Sequence, residues 1–160
     1  MNTASNSRGP TDRMLSPMAS IVADALGGEV DVVLVRKLRA PYNPEFAVGS
    51  IDESGWTYIA DYAAQAGATP EYLEAEKKMQ LETMRNRRAQ YTPIRPPIEP
   101  AGRIVIVLDD GLATGATMIS ALHALRAKGP KKLICAVPVS PPDTLDKVAG
   151  YADEVVCLEA

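Results

Sequence analysis

The sequence has no excess of positive charge. Its 17 lysine and arginine residues are outnumbered by 20 acidic residues, which gives a formal net charge of −3 at pH 7. Nucleic acids and anionic membranes attract proteins through a basic field. The charge balance therefore predicts neither a nucleic acid nor a membrane as partner, and favours a small molecule or another protein.

Long apolar runs, cysteine and histidine are also scarce. No stretch approaches the ~20 apolar residues that a membrane span needs, and no secretion signal is recognisable at the N-terminus. Cys135 and Cys157 lie apart in apolar runs and predict buried free thiols. His123, the single histidine, lies off the apolar stripe of its helix and is expected to be a surface or flank residue and not a catalyst. We expect a cytoplasmic protein.

The chain of 160 residues, of which 46% are hydrophobic, is long enough for one sizeable core. We expect a single domain over residues 16–160. Residues 1–15 are small and polar without apolar periodicity, which predicts a disordered or irregular arm with no strand. Ser16 is expected to cap the first helix, with Pro17 at its first position.

The middle of the chain mixes strands and turns before a long helix. Asp31–Val35 is a β-branched apolar run of strand length. The following turn residues and two shorter strand-like pieces predict a hairpin excursion around residues 40–60. A long polar helix is expected from Thr69-Pro70 to about Tyr91, because prolines follow it closely.

The last third alternates apolar strands with helices. Strands are expected at 103–108, 132–137 and 154–158, with helices at 116–128 and 142–151 between them. This alternation is typical of βαβ units. The predicted fold class is α/β, with a parallel sheet flanked by helices on both faces.

The residues that carry chemistry follow the strand at 103–108. Asp109 and Asp110 arrive at the carboxyl edge of the sheet, where open α/β sheets bind ligands. Residues 111–117 then form a small-residue turn whose N–H groups, with the N-terminus of the next helix, favour an anion. Two adjacent carboxylates repel an anion, so their presence beside the loop makes sense only if the ligand also carries hydroxyl groups that donate to them.

A ribose 5-phosphate satisfies both halves of this arrangement. The sequence predicts that its hydroxyl groups bind Asp109 and Asp110. The predicted 5′-phosphate ligands are the loop residues Ala113, Thr114, Gly115, Ala116 and Thr117. A plainer alternative is that Asp109-Asp110 caps the helix and that the loop is an ordinary connection, although this leaves the second acid unexplained.

The segment Val105–Thr117, VIVLDDGLATGAT, resembles the signature of the type I phosphoribosyltransferases. It departs from that signature at Gly111, where many members have an aliphatic residue. Residues 31–37, 40–49 and 136–139 resemble a bacterial subgroup of predicted phosphoribosyltransferases. The resemblance covers residues 16–160.

The resemblance implies a glycosyltransferase of nucleotide metabolism that binds phosphoribosyl pyrophosphate or a nucleoside monophosphate. It would transfer the phosphoribosyl group to or from a nitrogenous base, with pyrophosphate as co-product and Mg²⁺ as cofactor. Asp109 and Asp110 would contact the metal indirectly, through ribose or water. An alternative function is a non-catalytic regulatory domain that binds ribose phosphates or nucleotides.

Relatives bind pyrophosphate on a loop that follows a first strand and reads Pro-Arg-Gly-Gly or similar. Here only Ser7–Pro10 is comparable, with nothing strand-like before it, and relatives continue beyond the last strand. The resemblance therefore implies a chain truncated at both ends, which binds ribose 5-phosphate about as well as phosphoribosyl pyrophosphate and turns over poorly. A missing first strand would expose sheet edges and favour a homodimer.

Candidate pyrophosphate cations remain. Arg8 belongs to the comparable loop, and Arg36 and Lys37 match an Arg-Lys pair that lies beside this loop in relatives. A basic pair that merely ends a strand in solvent is an equal alternative. Ala113 replaces the aspartate of hypoxanthine-guanine enzymes, which argues against a 6-oxopurine substrate by their mechanism and leaves the acceptor base open.

Overall fold

The computed structural model of the chain describes residues 2–6, 12–91 and 96–160. The helices in these ranges are α1 (Asp12–Leu26), α2 (Pro70–Tyr91), α3 (Ala116–Arg126) and α4 (Pro142–Ala149). The strands are β1 (Asn2–Asn6), β2 (Glu29–Val33), β3 (Val35–Ala40), β4 (Asn43–Asp52), β5 (Thr57–Ile59), β6 (Ile104–Leu108), β7 (Lys132–Val139) and β8 (Glu154–Glu159). None of the described helices combines the length and the apolarity of a membrane span.

Five of the strands form a parallel sheet in the order β2-β1-β6-β7-β8. Successive residues of a strand face opposite sides of the sheet. Ile106 and Leu108 pack on one side against α1, while Val105 and Val107 pack on the other side against α3 and α4. The predicted α/β fold, with a parallel sheet flanked by helices on both faces, is confirmed.

The first strand contradicts the sequence-based prediction. β1 lies between β2 and β6 and pairs in parallel with both, with Asn2 in register with Glu29 and with Val105. The prediction of an irregular arm without a strand is therefore wrong for residues 2–6. A central strand satisfies its backbone groups on both edges, and this pairing overrides the low strand propensity of small polar residues.

Helix α1 also begins earlier than predicted. It starts at Asp12 instead of after Ser16, so that Pro17 lies inside the helix and removes one of its backbone hydrogen bonds. Because β1 is present, the homodimer can no longer be argued from a missing first strand. The homodimer stays a prediction. Residues 7–11, which include Arg8, lie outside the described residues.

The predicted excursion is an antiparallel sheet in the order β3-β4-β5. The hairpin around residues 40–60 is confirmed, but the run Asp31–Val35 is not one strand, because it divides at Leu34 between the two sheets. Val35 packs with the core residues of α3, whereas Leu34 and Leu38 pack with Met84 of α2. The antiparallel sheet therefore lies between α3 and α2.

The two cysteines are free. Cys135 is buried on β7, where burial and the nearby Asp109 carboxylate raise the pKa of its thiol to about 12. Cys157 on β8 is half-buried. The prediction of buried thiols is confirmed for Cys135.

Candidate functional site

The two acids follow β6 at the carboxyl edge of the parallel sheet, as predicted, but their surroundings differ. Asp110 is exposed, whereas Asp109 is fully buried. The Asp109 Oδ1 atom accepts a hydrogen bond of 2.8 Å from the backbone N–H of Asp110. Asp109 thus orients the turn, and Asp110 presents its carboxylate to solvent.

The turn after the acids is anchored to the neighbouring strand. The Leu112 N–H donates to the carbonyl of Val139 at 3.1 Å, and the Leu112 side chain enters the core. A Cβ atom on Gly111 would lie 3.2 Å from Cγ1 of Val139, so an aliphatic residue there would require Val139 to move. The close approach of Val139 therefore favours glycine at the position where many members of the resembled family have an aliphatic residue.

Gly115 makes the junction between loop and helix. It is the N-cap of α3 with a φ of 78°, in the left-handed region that glycine adopts without strain. A Cβ atom here would lie 2.9 Å from Cγ2 of Thr144 and 3.1 Å from Cγ2 of Val148. Because Gly115 is the N-cap, the alternative that Asp109-Asp110 caps this helix is wrong.

The N-terminus of α3 has the chemistry of an anion site. The first N–H groups of a helix have no carbonyl partner within the helix, and the dipole adds partial positive charge there. Within the described part of the chain, the first turn of α3 contains no acidic residue and Gly115 makes no side-chain cap. Ala113 is exposed and Thr114 half-buried, so this part of the loop is accessible. The hydroxyl of Thr114 accepts weakly from Ala116 N at 3.4 Å.

Thr117, one of the predicted phosphate ligands, is only 2% exposed. Its backbone N–H belongs to the first turn of α3.

Two buried hydroxyl groups bind carbonyls of the loop. Thr144 Oγ1, at the start of α4, donates to the carbonyl of Ala113 at 2.8 Å. Ser50 Oγ, on β4, donates to the carbonyl of Ala116 at 2.6 Å and lies 2.6 Å from Ser120 Oγ. Sequence reasoning missed both residues, because they lie 31 and 66 positions from their acceptors and belong to no motif.

The structure separates the candidate cations Arg36 and Lys37. The Arg36 Nε atom donates to Gln80 Oε1 of α2 at 3.0 Å. Lys37 is exposed and lies opposite Ser50 in the antiparallel pair, so it shares the face of β3 that meets α3. Lys37 is therefore on the side of the phosphate loop, while Arg36 points to α2.

His123 lies at the flank of α3, one of the two positions expected for it. It is half-buried near the C-terminal end of α3, and its ring stacks on Trp56 at a centroid distance of 3.7 Å. It lines a cleft of about 600 Å³ together with Asp52 and Arg88. Seven residues of helix, or about 10 Å, separate His123 from the start of α3, so this cleft is distinct from the phosphate loop.

Comparisons with known proteins indicate the family of this chain. The family described as phosphoribosyl transferase domain matches residues 16–159. A predicted phosphoribosyl transferase of Mycobacterium tuberculosis (strain CDC 1551) is 40% identical over 143 residues, or 89% of this chain and 32% of that protein. This chain thus spans about a third of the length of that curated relative, at 32%.

Two further relatives are matched over a larger share of their own length. An adenine phosphoribosyltransferase of Rhodospirillum centenum is 28% identical over 117 residues, which are 70% of this chain and 68% of that protein. The crystal structure of TT1426 from Thermus thermophilus has 40% identity and a TM-score of 0.73, covering 99% of this chain and 73% of that one.

Proposed function

Because this chain belongs to the phosphoribosyl transferase domain family, we propose that it binds phosphoribosyl pyrophosphate and transfers the phosphoribosyl group to or from a nitrogenous base. Pyrophosphate is the co-product. The observation that carries the proposal is the pairing of an exposed carboxylate, Asp110, with the N-terminus of α3, which begins six residues further along the chain and has no acidic residue in its described first turn. A sugar phosphate carries hydroxyl donors and an anion in one molecule, which are the groups that these two features would bind.

The 5′-phosphate occupies the loop of residues 113–117 in this proposal. The backbone N–H groups and the helix dipole stabilise the anion, and Thr114 supplies an accessible hydroxyl. Asp110 accepts a hydrogen bond from the ribose, and a charged acceptor makes this bond stronger than a neutral one. Asp109, which was predicted as a second direct ligand, acts here by orienting Asp110.

The reaction displaces pyrophosphate from the anomeric carbon by a nucleophilic nitrogen, so the protein mainly positions the reactants and neutralises charge. Lys37, a described cation on the α3 side, is the proposed partner of the pyrophosphate. Arg36 and Arg8 remain candidates, with Arg36 held at Gln80 and Arg8 outside the described residues.

The donor set fits a magnesium ion that arrives with its substrate. In the described ranges no group of three or more His, Cys, Asp or Glu residues could hold a metal. Mg²⁺ takes one or two carboxylates and completes its shell with water and substrate phosphates. The exposed Asp110, supported by Asp109, would hold such an ion indirectly, through ribose or water, and the ion would supply positive charge for the phosphate oxygens.

The first test measures pyrophosphate release and ligand affinity on the same protein. Phosphoribosyl pyrophosphate, Mg²⁺ and a panel of purine and pyrimidine bases should give pyrophosphate with at least one base. Release with none of the bases, in protein that binds ribose 5-phosphate, would contradict the transferase proposal and favour the regulatory alternative.

The ribose contact is tested with Asp110→Asn. This variant should bind ribose 5-phosphate about tenfold more weakly, because a hydrogen bond to a charged acceptor is lost. It should bind inorganic phosphate equally well or better, because a like charge is removed. Asp24→Asn, at an exposed site on α1, is the matched control. Equal loss for both ligands in calorimetry would show that Asp110 supports the loop instead of the sugar.

A further inference from the structure

Two carbonyl groups of the phosphate loop are held by hydroxyl donors from other parts of the fold. Thr144 is 5% exposed and donates to the carbonyl of Ala113 at 2.8 Å. Ser50 is fully buried and donates to the carbonyl of Ala116 at 2.6 Å. The two donors come from α4 and β4, so they hold the loop from two sides.

The geometry of the peptide bond links these contacts to the direction of the neighbouring N–H groups. In a planar trans peptide, the carbonyl of one residue and the N–H of the next point in opposite directions. The described residues contain no cis peptide. Holding the Ala113 carbonyl at Thr144 therefore directs the Thr114 N–H away from α4. Ala116 is the first residue of α3, so its carbonyl points along the helix and the Thr117 N–H of the same peptide points towards the start of the helix. The hydrogen bond from Ser50 fixes this first turn further.

The loop N–H groups are left facing the open side of the loop. Gly115 is packed against Thr144 and Val148, which closes the α4 side. Ala113 and Asp110 are exposed and mark the side that solvent and ligands reach. A carbonyl that turned to this side would oppose an anion, because its oxygen carries partial negative charge.

We propose that Thr144 and Ser50 are positioning residues of the anion-binding loop. Without touching the ligand, they hold two carbonyls away from the phosphate and thereby aim the N–H groups of Thr114 and Thr117 at it. The assignment rests on the proposed function for the identity of the anion, but its test needs only binding.

Ser120 provides a matched control. Ser50 has one hydroxyl proton, and if this proton is donated to the carbonyl of Ala116, Ser120 must donate to Ser50 Oγ. Ser120 is as fully buried as Ser50, yet its removal leaves the contact with Ala116 in place. A serine-to-alanine change at each position therefore separates the contact from a general effect of losing a buried hydroxyl.

The experiment measures the dissociation constants of inorganic phosphate and ribose 5-phosphate by titration calorimetry. Thr144→Val keeps the shape of the side chain and should weaken both ligands about threefold to tenfold, as loss of one orienting hydrogen bond predicts. Ser50→Ala should behave alike. Thr144→Ser restores the hydroxyl and should bind within about twofold of wild type, as should Ser120→Ala.

Melting temperatures, measured in parallel, show whether each variant is folded. A merely structural role would lower the melting temperature of Thr144→Val while leaving the dissociation constants unchanged, and this result would overturn the assignment. Equal weakening by Ser120→Ala and Ser50→Ala would also overturn it. Normal binding by wild type with no turnover would instead contradict only the proposed transferase activity.

Discussion

Gly115 shows how one residue connects the packing of the fold to the site. Its left-handed backbone ends the loop and starts α3, and its missing side chain leaves room for Thr144 and Val148. The same Thr144 binds the carbonyl of Ala113, so α4 and the loop fit together only if residue 115 is glycine. Loop geometry and tertiary packing therefore depend on the same position.

Gly115→Ala should lower the free energy of unfolding more than the backbone alone requires. A left-handed conformation costs a non-glycine residue about 1–2 kcal/mol. Forcing a Cβ atom into a packed site adds about 1–3 kcal/mol. Gly102→Ala is the control, because Gly102 has a φ of 70° and a Cβ atom there would meet nothing within 4 Å. If denaturant unfolding showed an equal loss of unfolding free energy for both variants, Thr144 would accommodate the added Cβ atom without an energetic penalty.

The site residues were predictable to the extent that they belong to a local motif. Asp109, Asp110 and the loop were found because a strand, two acids and a small-residue turn follow one another in the sequence. Which of the two acids is buried was not predictable, because this depends on how the turn meets β7. Ser50 and Thr144 were missed for the same reason, since their contacts arise only from tertiary structure.

At the scale of single elements, α2 has a polar side that is buried. Glu76 and Gln80 are 4% and 3% exposed, respectively. Glu76 Oε1 accepts from the Arg39 backbone N–H, from Arg39 Nε and from Gln80 Nε2, at distances of 2.9 to 3.1 Å. The Arg39 carbonyl accepts from the Tyr72 hydroxyl. Paired polar groups, together with the apolar Met84, thus hold this helix on β3.

Glu76 should make stability depend on pH. Burial raises the pKa of Glu76, but the hydrogen bonds from Arg39 and Gln80 outweigh burial and hold the pKa below its ordinary value of 4.5. A carboxyl group with a lowered pKa in the folded state stabilises the protein above the unfolded-state pKa, and this contribution is lost as pH falls through the folded-state pKa. At pH 7, Glu76→Gln should lower the free energy of unfolding by roughly 1–2 kcal/mol.

The difference between wild type and Glu76→Gln should shrink as the pH falls below 4.5, the ordinary pKa of this group. Urea unfolding at several pH values measures it. Glu74→Gln is the control, because the pair of Glu74 with Lys77 is exposed and contributes little. A difference that stayed constant down to acidic pH would mean that Glu76 contributes by packing alone.

The elements with strong local signals were predicted well. The polar helix was expected from residue 70 to 91 and is found there, and the strand and helix on either side of the loop begin within one residue of their predicted positions. β1 was missed because the sequence NTASN has no apolar pattern and gains its order from two neighbouring strands. The division of the run 31–35 was missed because an apolar run does not reveal that it serves two sheets.

On the scale of the whole molecule, α3 lies between the two sheets. The parallel sheet provides the loop that precedes the helix, and the antiparallel sheet provides Ser50 and Lys37 on the facing side. The loop and Lys37, the two proposed phosphate contacts, thus come from different sheets, and the buried hydrogen bond from Ser50 joins the antiparallel sheet to the first residue of α3.

The presence of β1 changes the expected ligand preference. Sequence reasoning predicted similar affinities for ribose 5-phosphate and phosphoribosyl pyrophosphate, because no strand was recognised before Ser7–Pro10. β1 ends at Asn6 in parallel with β2 and β6, so the chain leaves it at the same sheet edge as Asp110. This is the placement that a second phosphate-binding segment requires in an open α/β sheet.

We therefore expect phosphoribosyl pyrophosphate with Mg²⁺ to bind at least about tenfold more tightly than ribose 5-phosphate. One charge-assisted contact contributes about 1.5–3 kcal/mol, and about 1.4 kcal/mol corresponds to a factor of ten. Titration calorimetry of both ligands measures the preference directly. Lys37→Ala should reduce it by weakening the pyrophosphate ligand alone, whereas Lys78→Ala, at an exposed position on α2, should leave it unchanged. Equal affinities in the wild-type protein would show that β1 supports no pyrophosphate site, and the sequence-based expectation would then be correct for binding despite its error about the strand.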